Sequence, residues 1–440
     1  MNMMLIGFLS ILFLLILFAT NIPIAKVFLI VGFISSIILV KFSQSLSLLG
    51  QSMYYTVASP IYVTLPLFVL MGSLAARAGF AKKAFDGLEL AARGLPGSLA
   101  IATCYACAAF GTISGSSLST TVVFGRLVLP EMERQNYNRA FSAGTIASAG
   151  TFASMIPPSA LFIIYALFAE ESVAQLFAAG VVPGLITATV YSISIAYRCS
   201  RNPRLIKKVR ENENVKLEER ILALGKLWPI FFIAVIVLGG IYSGIFTPTE
   251  AAAVGCLAIL FLGWITGGDI CHFNVFREAL RESASSNAMV FIIMLAAMYY
   301  SRFLALSQVP TYITEIVVGL ELPRIYILIG LIIIMFFLGM IIVPVGIFAL
   351  VLPVALPVLK DLGYNPIWFG VVALKLTEIA AVTPPIGLNI FAIKGVAGKD
   401  TPIEEIYGSI WPYVLCDLIV LFFIIVFPQI ALWLPNLLYG

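Results

Sequence analysis

Charge is scarce in this sequence. Asp, Glu, Lys and Arg together make up 11% of its 440 residues, and histidine occurs once, as His272. A soluble globular chain carries roughly 25% charged residues. Here AVILMFWYC residues reach 61% and the mean hydropathy is +1.05. So few charges cannot give such a core a water-facing shell, so the surplus apolar surface faces lipid and the chain is an all-α polytopic membrane protein. That excludes a soluble enzyme, a nucleic-acid binder and a disordered scaffold. A net charge of +4 spread over many spans points to no polyanionic partner. A lone histidine excludes a multi-His metal site and leaves any Ser–His chemistry to His272, in the polar stretch 267–274. The six cysteines lie mostly inside apolar runs, and Cys104-x-x-Cys107 reads as two small residues on one helix face rather than a redox pair. The first apolar run, 4–20, lacks a basic leader and a small-residue cleavage site, so it reads as a retained span.

Apolar runs near 4–20, 22–40, 60–76, 176–197, 226–245, 250–266, 285–305 and 409–434 approach the length needed to cross a core of about 30 Å. The long polar segment 198–220 holds eight basic residues (Arg198, Arg201, Arg204, Lys207, Lys208, Arg210, Lys216, Arg220) against four Glu, which places it in the cytoplasm. Arg77, Lys82, Lys83 and Arg93 give 77–93 the same bias.

Shifting the chain by 227 residues lays Leu95-Pro96 on Leu322-Pro323 and Leu129-Pro130 on Leu356-Pro357. The same shift lays Tyr137-Asn138 on Tyr364-Asn365 and Pro157-Pro158 on Pro384-Pro385. Four of the seven prolines in 60–190 meet another proline, where about 0.4 would by chance. The counterpart of the basic stretch 77–93 is 304–320, which has no Lys or Arg. That asymmetry predicts two inverted repeats with a site between them at mid-membrane.

Each repeat holds two irregular features. The first is an apolar stretch broken at its centre: Leu99–Gly111, then 112–117, then Leu118–Pro130, matched by 325–338, 339–346 and 347–359. Arms of about 13 residues span only ~20 Å, which predicts a re-entrant hairpin with its tip buried in protein. The second is a span broken by paired prolines: 140–153, 154–159 and 160–169, matched by 367–380, 381–385 and 386–397. Proline frees upstream carbonyls, and freed carbonyls with Ser or Thr hydroxyls are oxygen ligands suited to sodium. Helix starts at Ser117 and Ser159 would turn partial positive charge toward an anion.

Lys375 and Glu378, one turn apart, read as a pair. Arg126, on the second arm of the first hairpin, is a candidate anion contact, against snorkelling or pairing with Glu131. Lys26, Arg302 and Asp417 read as residues near interfaces or subunit contacts. Thr247-Pro248-Thr249-Glu250 has the pattern of a helix start.

Over nearly its whole length the sequence resembles the large membrane subunit of tripartite ATP-independent periplasmic (TRAP) transporters. The resemblance rests on Gly111-Thr-Ile-Ser-Gly-Ser-Ser117, Ile156-Pro-Pro-Ser159, Leu176-Phe-Ala-Ala-Gly-Val-Val-Pro-Gly184, Gly244-Ile-Phe-Thr-Pro-Thr-Glu-Ala-Ala-Ala253 and Thr383-Pro-Pro-Ile-Gly-Leu-Asn389. It implies a sodium-driven importer of organic anions (dicarboxylates, other carboxylates or sialic acids) in a bacterial inner membrane. It also implies a periplasmic binding protein that delivers substrate, a small four-helix membrane subunit, and an elevator motion of the repeats past a scaffold. Two positions depart from the family pattern, Val343 where an acidic residue is frequent and Ala380 where Gly is usual.

The expected organisation is N-terminal scaffold spans 1–59, a first repeat 60–197 with hairpin 99–130 and broken helix 140–169, and a cytoplasmic loop 198–225. Connecting scaffold spans 226–284 and a second repeat 285–434, with hairpin 325–359 and broken helix 367–397, complete it. Expected sodium ligands are Gly111, Ser114, Ser117, Thr151 and Ser154 in the first half and Gly339, Thr377 and Thr383 in the second. Expected substrate contacts are Ser116, Ser117, Arg126, Ser159, Pro344 and Asn389. The rival readings are a stand-alone inverted-repeat anion transporter without a binding protein, an intramembrane enzyme and a passive channel. The enzyme is disfavoured by the single histidine and the missing transmembrane Asp pair, the channel by closed half-span hairpins.

Overall fold

The computed structural model describes residues 3–18, 20, 22–202, 204–206, 216–268, 270, 272–320, 322–398 and 401–440. Lys207, Lys208 and Arg210 of the basic segment, and Cys271, lie outside the described residues. Among those described there is no β-strand, and an isolated bridge joins Tyr137 to Ile206.

The chain begins with α1 (Met3–Phe18), α2 (Ile24–Val40) and α3 (Phe42–Ala58), then α4 (Thr64–Arg77) and α5 (Phe80–Ala92). A helical hairpin follows, α6 (Ser98–Ser114) and α7 (Ser117–Arg134), and then a broken helix of α8 (Arg139–Gly150), α9 (Phe152–Met155) and α10 (Ala160–Ala169). After the long α11 (Val173–Arg201), three pieces, α12 (Leu217–Leu224), α13 (Trp228–Ala234) and α14 (Gly240–Tyr242), run on as one span, Glu218–Tyr242. Next come α15 (Pro248–Ile265), the 34-residue α16 (Phe273–Leu306) and α17 (Val309–Gly319). The last part has a second hairpin, α18 (Arg324–Gly339) and α19 (Pro344–Asp361), and a second broken helix, α20 (Pro366–Val382) and α21 (Leu388–Ala397). It closes with α22 (Ile403–Val426) and α23 (Gln429–Tyr439). Among the described residues six helices are long and apolar enough to cross a membrane, or up to eight if two bent pairs each count as a span.

Elements recur at the offset of 227: Ser117–Arg134 falls on Pro344–Asp361, and Arg139–Met155 on Pro366–Val382. The local chemistry recurs with them. Asn138 caps α8 by accepting from Phe141 N–H at 2.9 Å, and Asn365 caps α20 by accepting from Ile367 N–H at 2.8 Å. One turn on, Tyr137 stacks on Phe141 (6.4 Å, 16°) and Tyr364 on Trp368 (5.4 Å, 15°).

The two broken helices form the core. Every residue of α8 from Ala140 to Gly150 is buried, and α20 is buried throughout except Pro366 and Ala381. Each half encloses the other: α10 packs on α19 and α20, while α21 packs on α7 and α8. Around this core, α16 is pinned to the first two helices by hydrogen bonds between Tyr299 and Ser36 (2.6 Å) and between Tyr300 and Ser10 (3.1 Å). Phe231, Leu257, Phe261 and Trp264 stand exposed on the outer surface, as lipid-facing side chains do.

Three expectations need correction. The hairpin breaks are narrower than 112–117 and 339–346: helix continues through Ser114 and restarts at Ser117 in the first, and spans all but 340–343 in the second. Gly115 at φ 60 turns the first within two residues, and Pro344, whose missing N–H costs nothing in a first turn, opens α19. The arms, at 17 and 18 residues and 16 and 18, are longer than read from apolar residues alone, because polar turns such as Glu131–Arg134 stay helical. The run 409–434 is two helices, parted before Gln429 at Pro428. The helix start at Thr247 is a full capping box with Glu250.

Candidate functional site

In the first half the hairpin tip is docked on the broken helix. Gly115 ends α6 in a left-handed conformation, and Ser116 caps α7 by accepting from Ser119 N–H at 3.4 Å. The Gly115 carbonyl accepts from Ala160 N–H (3.3 Å), and a Cβ at Gly115 would lie 2.9 Å from Pro158 O. One turn back, a Cβ at Gly111 would come within 2.9 Å of Ala153 Cα. Only glycine allows both the turn and the approach. The broken helix bends by 46°, the Pro157–Pro158 bond is cis, and Ser159 sits buried and extended at the head of α10.

Four buried polar atoms of the first hairpin and the broken helices have no hydrogen-bond partner among the described residues: Thr121 Oγ1, Ser148 Oγ, Ser159 Oγ and Asn389 Oδ1. Thr121 is in contact with Gly150, where a Cβ would overlap its hydroxyl. Asn389 reaches across from the other half, its Nδ2 donating to Ala147 O at 3.2 Å. Burying a polar group without a partner costs on the order of 1–3 kcal/mol. Ser159 Oγ, at the head of α10, is such an atom beside a helix start. All four are oxygens, the donor type that hard cations such as sodium take. Among the described residues no group of three His, Cys, Asp or Glu side chains could hold a metal.

The expected residues sort by burial. Gly111, Ser114, Thr151, Ser154, Ser159, Thr377, Thr383 and Asn389 are buried; Ser116, Ser117, Gly339 and Pro344 are half-buried. Ser114 Oγ accepts from Thr120 Oγ1 at 3.3 Å, and Thr151 Oγ1 donates to Ser148 O at 2.7 Å. Thr377 and Thr383 donate to Leu374 O and Ile379 O, leaving their hydroxyl lone pairs free. Arg126 is exposed and nine residues beyond the start of α7, roughly 14 Å along the helix, so the structure does not bring it to the tip. Its suggested partner Glu131 instead accepts from Arg134 at 2.8 Å. Thr121 and Ser148 escaped the sequence reading, since a lone hydroxyl in a small-residue helix looks like packing.

The second half is built from the same parts with different fittings. Its tip packs through Gly339 on Ala380, where a Cβ on the glycine would lie 2.6 Å from the alanine Cβ. Its break also carries a cis Pro384–Pro385 bond, but Tyr407 donates to the carbonyls there, 2.8 Å from Ile386 O and 3.2 Å from Pro385 O. Lys375 pairs with Glu378 at 3.0 Å, as expected. Asp417 does not lie at an interface: it is fully buried, 2.8 Å from the Lys375 ammonium, and accepts from Tyr191 at 2.7 Å. A carboxylate this deep is tolerable only with a cation and donors beside it.

Residues 11–430 match the family model described as tripartite ATP-independent periplasmic transporter, DctM component. The chain is 33% identical to the C4-dicarboxylate TRAP transporter large permease protein DctM of Pseudomonas aeruginosa, over 90% of this chain and 89% of that one. It is 28% identical to the sialic acid TRAP transporter large permease protein SiaM of Vibrio cholerae, over 90% and 91%. Among solved structures it resembles the MtrF transporter of Neisseria gonorrhoeae in fold, with a TM-score of 0.60 and 12% identity over 89% of this chain and 84% of that one.

Proposed function

This chain belongs to the DctM family of tripartite ATP-independent periplasmic transporters, as a large permease subunit, and from that premise we propose that it couples sodium entry to import of an organic anion. The anion is a carboxylate, delivered by a periplasmic binding protein, and the chain works with a small membrane subunit in the bacterial inner membrane. The observation that carries this reading is a set of buried oxygens with no hydrogen-bond partner among the described residues: Ser159 Oγ at the head of α10, Thr121 Oγ1 on the first hairpin, and Ser148 Oγ and Asn389 Oδ1 on the two broken helices.

A sodium ion bound there would supply positive charge beside the carboxylate. The chain's residues do the rest: Ser159 and the head of α10 present N–H groups and a partial positive charge to the anion. Asn389 carries an amide from the second half onto the backbone of the first, so the two halves meet there. The exchange of α10 and α21 between the halves supports a twofold relation and, with the basic bias of 77–93, an inverted one. The hairpins are then re-entrant, and both halves move together past the outer helices as an elevator.

Uptake of labelled dicarboxylates and sialic acid into proteoliposomes holding the membrane subunits, with the binding protein added, tests the reading. Uptake that needs an inward sodium gradient and the binding protein is expected. Uptake indifferent to sodium removes the coupling, and uptake without the binding protein would make the chain a stand-alone carrier.

A further inference from the structure

The Lys375 ammonium lies among oxygens drawn from three helices: it donates to Glu378 Oε2 at 3.0 Å within α20 and to Thr187 Oγ1 at 3.1 Å on α11, and it pairs with Asp417 Oδ1 at 2.8 Å on α22. Lys375 and Asp417 are fully buried and Glu378 is 2% exposed. Tyr191 of α11 donates to the other Asp417 oxygen. Two carboxylates face one ammonium, and Glu378 Oε1 is buried without a hydrogen-bond partner among the described residues. Convergent oxygens around a compact positive charge are what a metal-ion site offers, with a side chain in the ion's place.

The offset of 227 gives this its meaning. Lys375 falls on Ser148 and Glu378 on Thr151. At those two positions the first half has uncharged residues, a buried hydroxyl with no partner among the described residues and a threonine bonded to its own helix. We infer that the Lys375 ammonium is a tethered cation, filling in the second half a place that the first half leaves to a mobile ion, and that its removal exposes a sodium site made of Glu378, Asp417 and Thr187. The inference deepens the cation part of the function proposed above.

Equilibrium binding of radiolabelled sodium to the purified full chain, with its copurifying membrane partner, tests it. Lys375→Ala, which opens space, is expected to bind one sodium ion more than the unaltered chain. Lys375→Met, which keeps the space filled, and Lys375→Ala with Asp417→Asn, which removes a ligand, are expected to show no such gain. An unchanged sodium count in folded K375A overturns the inference. An unaltered chain that binds no sodium instead sinks the coupling reading, and the K375A comparison still stands. Should K375A unfold in sodium-free buffer, its unfolding temperature is the readout: sodium replacing choline is expected to raise it by several degrees more than in the unaltered chain. An equal shift overturns the inference.

Discussion

The two halves share a frame and differ in how they treat the oxygens at its centre. In the first, α11 passes the break at Gly180, where any side chain would strike Met155 O. In the second, the residue 227 positions on is Tyr407, which covers the carbonyls there with its phenol. Ser148 Oγ has no partner among the described residues, where Lys375 donates to two oxygens and pairs with a third. One half thus leaves polar groups open and the other closes them with its own side chains. Duplicated geometry does not imply duplicated chemistry: the backbone breaks come from Gly and Pro, while the charge at each break is set by one or two side chains.

The sharpest way to break that comparison is to uncover the closed half. Lys375→Met strands two buried carboxylates, and losing one partner of a buried pair costs about 3–5 kcal/mol. Poor assembly or a large drop in unfolding temperature is expected, with partial recovery on adding Asp417→Asn. A K375M protein as stable as the unaltered chain would show that the cluster does not hold α20 to α22. Ser148→Ala probes the open half. It removes a buried hydroxyl that has no partner among the described residues, so in sodium-free buffer stability should hold or rise, by up to about 1–3 kcal/mol. If Ser148 is a ligand, the sodium concentration for half-maximal uptake should rise roughly tenfold, about 1.4 kcal/mol. A clear loss of stability with unchanged sodium dependence would make Ser148 structural.

The frame of this comparison was legible in sequence because Gly and Pro write it locally. The repeat offset, both breaks, the Asn138 and Asn365 caps and the Lys375–Glu378 pair all lie within a turn or two of a readable signal. What escaped depends on helix crossings. Asp417 sits mid-way along an apolar helix, and only the packing of α22 on α20 turns it toward Lys375. Thr121 and Ser148 gain significance from having no partner, which a sequence cannot display. The tips were drawn too wide because polar residues such as Thr112 were read as loop. Thr112 instead stays helical by donating to Ala109 O at 2.7 Å.

Tyr407→Phe sharpens the comparison at smaller scale. It keeps the ring and removes one hydroxyl shared by two carbonyls, a loss of about 0.5–1.5 kcal/mol. With those carbonyls released, the second half comes to resemble the first, so sodium dependence should become steeper or shift to lower concentration while maximal uptake stays within about twofold. Sodium dependence that does not move would mean the second break is closed by its fold rather than by the phenol.

The smallest effect is expected at Arg126. Its side chain is exposed, about 14 Å along α7 from the tip, and Glu131 is engaged with Arg134. Arg126→Gln should leave stability within about 0.5 kcal/mol and half-maximal substrate concentration within about twofold. Replacing a charge that bonds an anion directly would cost far more, because charge-assisted hydrogen bonds are worth about 1.5–3 kcal/mol. A tenfold weaker substrate response in R126Q, with sodium dependence unchanged, would therefore place the anion further along α7 than the tip. The four open oxygens would then serve the cation alone.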